Sequence, residues 1–155
     1  MCSSDLVLLA QAGRFGGWSL YIKDGKPTYT YNWLGLQRYT VTAPQALTPG
    51  KATIRFELAY DGGGPGKGGT VTLYVDGESV GAGRVEATVP FMFSSDETTD
   101  VGRDTASPVS DDYSHHESVF NGTVDWVQID IGEAAEDLDH LLSPEERMQV
   151  AMARQ

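Results

Sequence analysis

"GGWSLYIKDGKPTYTYNWL", residues 16–34, holds two runs of aromatic and β-branched residues on either side of Asp24-Gly25. That dipeptide suits a tight hairpin turn, because glycine accepts the positive φ such turns require. Trp18, Leu20 and Ile22 share one face of the first run, and Tyr29 and Tyr31 share one face of the second. A period of two is the period of a strand, so the segment predicts an antiparallel hairpin with one apolar side.

The same pattern recurs along the chain. "QRYTVTA" adds a strand in which Tyr39, Val41 and Ala43 alternate with polar residues, and "KATIRFELAY" sets Ile54, Phe56 and Leu58 inward against Arg55 and Glu57. "GTVTLYVDGESVGAGRVEA" reads as a second Asp-Gly hairpin turning at Asp76-Gly77, with Val71, Leu73 and Val75 on its buried face. "FNGTVDWVQIDIG" predicts a last strand with Val127, Ile129 and Ile131 on one side. Short strands with hairpin turns and no long helical period predict an all-β fold, an antiparallel β-sandwich of the lectin or laminin-G-like jelly-roll kind. One short C-terminal helix is expected, with Ser143 as its cap, Pro144 in its first turn and Glu146 completing a capping box.

The 155 residues suit one domain, expected over residues 6–155. Acidic residues outnumber basic ones by 22 to 11, for a formal charge of −11. That field repels nucleic acid and anionic membrane surfaces, so neither is an expected partner. No apolar run approaches the roughly 20 residues of a membrane helix, and "DLVLLAQ" falls far short. Cys2 is the one cysteine, which excludes an internal disulfide and leaves the compartment open. "MCSSD" lacks the basic and apolar regions of a signal peptide and reads like an adapter sequence in one frame. Residues 1–5 are therefore expected to be a non-native scar, with the native chain beginning further upstream.

Three short motifs fail on inspection. "DGGGPGKGG", residues 61–69, lacks the glycine a phosphate loop needs five residues before its Gly-Lys pair, and lacks Ser or Thr after Lys67. It reads as a glycine-rich hairpin loop. Asn121-Gly122-Thr123 matches a glycosylation acceptor, a pattern short enough to arise by chance. His115 and His116 are adjacent and would point to opposite sides of an extended chain, and His140 sits in a polar segment. All three read as surface histidines.

"SSDETTDVGRDTASPVSDDYSHH", residues 94–116, packs six carboxylates and two histidines into one stretch. Asp96, Asp100 and Asp104 recur every fourth residue, with Gly102 able to turn the chain sharply. Hard oxygen ligands on a loop are what calcium uses, but the spacing fails the EF-hand pattern. Arg103 could offset part of the charge, and Ser, Thr and Asp often bond their own backbone in turns. A self-bonded or docking loop over Asp96–Asp112 is the expectation, with calcium and a catalytic carboxylate pair as alternatives.

Four stretches in order, "GRFGGWSLYIKDGKPTYTYNWLGLQRYTV", "FELAYDGGGPGKGGTVTLYVDG", "DETTDVGRDTASPVSDDY" and "GTVDWVQIDIG", resemble the C-terminal part of large bacterial arylsulfatases. The resemblance runs from about Ala10 to the end and is most specific over residues 96–109. It implies a sulfuric ester hydrolase as parent family, in which a formylglycine made from Cys or Ser in [CS]-x-P-x-R attacks sulfur beside a calcium ion. Both groups belong to the N-terminal catalytic domain, which the resemblance makes the partner of this one. The residues two places before this chain's prolines are Gly25, Thr42, Leu47, Gly63, Thr88, Ala106 and Leu142, none of them Cys or Ser. No catalytic, cofactor-binding or metal-binding residue is therefore assigned, and the chain alone is expected to be an inactive accessory domain. On such a detached domain the acidic loop would lie exposed. Trp18, Trp33, Trp126 and the tyrosines are candidates for a face that meets the catalytic domain. The alternative is a free-standing carbohydrate-binding, lectin-like module, for which seven tyrosines and three tryptophans offer stacking surfaces. A purely structural domain is a third.

Overall fold

The computed structural model describes residues 6–90, 92–93 and 98–130. Their regular structure is all-β. Among the described residues eight strands lie in two antiparallel sheets: β1 Leu6–Gly13, β2 Gly16–Lys23, β3 Lys26–Trp33, β4 Gln37–Thr42, β5 Ile54–Tyr60, β6 Gly69–Val75, β7 Glu78–Val85 and β8 Thr99–Val101. The first sheet has five strands in the order β4-β3-β2-β1-β8, and the second has three in the order β5-β6-β7.

Both Asp-Gly turns form where expected. Asp24 and Gly25 have φ of 51° and 77°, and Asp76 and Gly77 have 51° and 85°. Two positive φ values in a row give a hairpin turn whose twist matches its strands. The register follows, with Leu20 opposite Tyr29 and Trp18 opposite Tyr31. Leu34 and Gly35, with φ of 56° and 71°, make a third turn of this kind between β3 and β4.

The two sheets share one core. Leu20, Tyr29, Tyr31 and Val41 from the first sheet meet Val71, Leu73 and Val85 from the second. Phe56 bridges them, its ring 4.9 Å from Trp18 and 4.6 Å from Tyr29. The inward faces read from alternation are thus the faces that pack. At the seam between β4 and β7 the approach is so close that a Cβ on Gly83 would lie 2.6 Å from Val41 Cγ2.

Three expectations need correction or limits. "DLVLLAQ", read only as too short for a membrane, is most of β1, in the interior of the five-stranded sheet. Its near-continuous apolar run fits a strand covered on both faces. The last strand expected in "FNGTVDWVQIDIG" is not formed: residues 123–130 have no regular structure, and Trp126, Val127 and Ile129 are exposed. The helix expected at Ser143, Pro144 and Glu146 lies outside the described residues, as do Cys2, Asp96, Ile131 and His140.

Leu73 is fully buried between the sheets. Leu73→Ala is expected to destabilise the chain by about 2–5 kcal/mol, read as a lowered midpoint in urea unfolding, because a cavity there has no exposed side chain to fill it.

Candidate functional site

The second face of the five-stranded sheet carries Ser19, Tyr21, Thr28, Thr30 and Asn32, and all five are fully buried. Simple alternation would put such residues in water. Instead residues 102–120, most of the acidic stretch with its short 3-10 turn His115–Glu117, lie across them. Val7, Ala10, Tyr21 and Tyr113 form a small second core under this cover. The expected exposure of the loop is therefore corrected: Asp104, Val109, Ser110, Tyr113 and Ser118 are buried. The polar sheet face and the polar loop satisfy each other, which an isolated strand pattern cannot show.

Asp104 and Tyr113 anchor the middle of the loop. The Tyr113 hydroxyl donates to Asp104 Oδ2 at 2.5 Å and lies 2.9 Å from Ser19 Oγ. The same carboxylate oxygen accepts the Val109 N–H at 2.9 Å. The Asp104 N–H donates to Ser118 Oγ at 3.0 Å, and that hydroxyl donates back to the Asp104 carbonyl at 3.1 Å. Asn32 joins sheet to loop: its amide N–H groups donate to the carbonyls of Arg14 at 2.9 Å and Val109 at 3.0 Å, and its oxygen accepts Gly35 N–H at 2.8 Å.

A second anchor sits at Asp112. Its carboxylate accepts the Tyr21 hydroxyl and, at 2.5 Å, the Lys23 ammonium. Tyr21 also contacts Thr30 Oγ1 at 2.9 Å and Ser110 Oγ at 3.2 Å, and Thr30 reaches Thr40 Oγ1 at 3.0 Å. Arg38 donates to the Val109 carbonyl at 3.1 Å and pairs with exposed Asp111 at 3.0 Å.

Charge states follow from these partners. Burial pushes the Tyr113 hydroxyl far up, and the Asp104 charge and hydrogen bond push it further. Burial also raises Tyr21, with the Asp112 hydrogen bond adding to it. Both phenols stay protonated donors and cannot serve as bases or nucleophiles near neutrality. Burial opposes the Asp112 charge, but hydrogen bonds from Lys23 and Tyr21 and the Lys23 charge outweigh it and hold its pKa below the usual carboxylate range. Asp100 is likewise lowered against burial, by Thr105, Thr98 and Arg103.

Of the carboxylates spaced four apart, Asp100 and Asp104, the two among the described residues, do not converge. Asp100, on β8, accepts the N–H and hydroxyl of Thr105 at 2.8 and 2.6 Å, while Asp104 turns to the sheet. Gly102 supplies the expected turn with φ 76°. Among the described residues no three or more of His, Cys, Asp and Glu gather as a metal set. His116 is exposed, as are Asn121, Gly122 and Thr123. Trp18 and Trp33 pack against the main core, Trp33 donating to the Thr88 carbonyl at 3.2 Å, and only Trp126 of the three is exposed. In the 61–69 loop, Asp61 forms a two-pronged pair with Arg84 at 2.9 and 2.6 Å, and the Tyr60 hydroxyl accepts Lys67 N–H at 3.0 Å.

Sequence reasoning missed Ser19, Tyr21 and Asn32 as partners of the loop, and Tyr113 as its anchor. A faint signal was present: a hydroxyl or amide at every second position of β3, Thr28, Thr30 and Asn32. Comparison with family models, curated proteins and solved structures finds no match to this chain. The arrangement itself acts as a latch that holds the acidic stretch on the sheet.

Tyr113→Phe removes one donor from Asp104 and a partner from Ser19. It is expected to cost about 1–3 kcal/mol and to speed amide hydrogen exchange within residues 102–120 more than within β2 and β3. Acid should release the latch from the Asp112 side. A depressed carboxylate stabilises fully above its unfolded pKa, about 3.9, and that contribution is lost as pH falls through its lower folded value. Exchange in residues 110–113 should accelerate below about pH 4, and Asp112→Asn should flatten that dependence.

Proposed function

We propose that this chain is the C-terminal accessory domain of an arylsulfatase, a β-sandwich of jelly-roll type without catalytic residues of its own. The observation that carries the reading is the ordered set of four stretches resembling that part of the family, above all residues 96–109. On this reading the nucleophile comes from another domain, because [CS]-x-P-x-R does not occur in the sequence. Calcium and formylglycine would belong to that catalytic domain, which is the proposed partner.

A bare apolar patch at one end of the five-stranded sheet supports the same reading. Phe15, in the β1–β2 turn, is 72% exposed, and Leu36, beside the β3–β4 turn, is 76% exposed. The two turns meet, because a Cβ on Gly35 would lie 2.9 Å from the Arg14 carbonyl oxygen and 3.8 Å from the Phe15 ring. Exposed Leu34 completes the patch. Contiguous apolar groups on hairpin tips favour a covering partner over water.

The test is the reading frame upstream of codon 6 in the source genome. An in-frame α/β domain carrying [CS]-x-P-x-R is expected, and Phe15→Ser with Leu36→Ser should then weaken association of the two domains while leaving the isolated chain's stability within about 0.5 kcal/mol. A start site and promoter at that position, with glycan binding by the isolated chain, would replace this reading by the lectin-like module.

A further inference from the structure

The two sheets are unequal, and among the described residues one flank of the core, at β5 and β8, is less covered than the rest. From the seam, β7 lies on β4, β6 faces β3 through Tyr29, Tyr31, Val71 and Leu73, and β5 lies under β2 through Phe56 and Trp18. The first sheet continues for two more strands, β1 and β8, while the second stops at β5. The cost shows in burial. Val71 and Leu73 on β6 are fully buried, yet Ile54, Phe56 and Leu58 on β5 are only half-buried. Val101 on β8 pairs with inward-facing Leu9 and is 51% exposed. Beyond its pairing with β6, the other edge of β5 has no strand beside it among the described residues.

Residues 123–130, "TVDWVQID", have the composition such a flank lacks. Val127 and Ile129 fall on one side of an alternating segment, and Trp126 is 63% exposed. Among the described residues no backbone hydrogen bond joins this segment to another part of the chain. It is nevertheless delivered to the flank at two points. Phe120 N–H donates to the Gly102 carbonyl at 2.8 Å, just past the end of β8. Asp125 pairs at 2.8 Å with Lys51, three residues before β5 begins. Eight residues in extended form span about 26 Å, enough for the length of a seven-residue strand such as β5.

We infer that residues 123–130 close this flank as a strap, seated along the free edge of β5 and against Val101 of β8. Seating would return Val127 and Ile129 to apolar surroundings and cover Val101, Ile54 and Phe56 in the same step. It would also blunt an exposed strand edge that otherwise invites pairing between molecules. The covering segment comes from the same chain because it is already tethered at both approaches, which gives it a high effective concentration that a second copy does not have.

Amide hydrogen exchange on the full chain tests this. Residues 124–130 are expected to exchange about a hundredfold more slowly than free peptide, equally at low and high protein concentration. Ile129→Asp should remove that protection and speed exchange in β5, with β2 and β3 unchanged. Unprotected exchange of residues 124–130 in the wild-type chain would overturn the inference. Protection that appears only as concentration rises would overturn it too, and would make a second copy the occupant.

Discussion

The five-stranded sheet buries a face of hydroxyls and amides, and everything about the acidic stretch depends on satisfying that face. Ser19, Tyr21, Thr30 and Asn32 cannot be taken out of water unless partners replace it, since each unpaired group would cost a few kcal/mol on the order of 1–3. Residues 104–118 supply partners to Ser19 through Tyr113, to Tyr21 through Ser110 and Asp112, and to Asn32 through the Val109 carbonyl, while Thr30 bonds Tyr21 and Thr40 within the sheet. The loop and the sheet face are therefore one unit. Each supplies hydrogen-bond partners to the other's buried polar groups.

This unit also commits Asp100, Asp104 and Asp112 to structural hydrogen bonds. A catalytic carboxylate needs an open approach and a pKa fitted to its task. Asp100 and Asp112 are held charged by donors from neighbouring residues, and Asp104 is spent on a backbone N–H and a phenol. The phenols are locked as donors. Groups tied in this way order a surface. In the proposed arylsulfatase setting, such an ordered surface and the Phe15–Leu36 tip would be what an accessory domain presents to its catalytic neighbour.

On the opposite face the constraint is ordinary packing. Phe56 and the tyrosines of β3 weld the two sheets where they overlap, and the seam at Gly83 and Val41 leaves no room for a side chain. Packing tightens toward β6 and loosens toward β5, because five strands are matched by three. The difference in width, not a weak residue, is what leaves β5 half-open.

Local chemistry determined the hairpins at Asp24-Gly25 and Asp76-Gly77 and the inward faces of β2, β3, β5 and β6, because a positive-φ turn and a period of two are properties of neighbouring residues. Alternation also marked the other face of β2 and β3, but as a solvent face, and there it misled. A polar residue such as Asn32 reads the same whether water or a loop 77 residues later bonds it. The strand character of β1 was hidden for a related reason, since an apolar run buried on both sides has no alternation to detect. In residues 123–130 a strand-like pattern carries no strand, because local propensity does not by itself form a ladder. Which surface each polar or apolar side met was decided only when distant segments came together, since hydrogen-bond partners and burial are set by position in space and not by order along the chain.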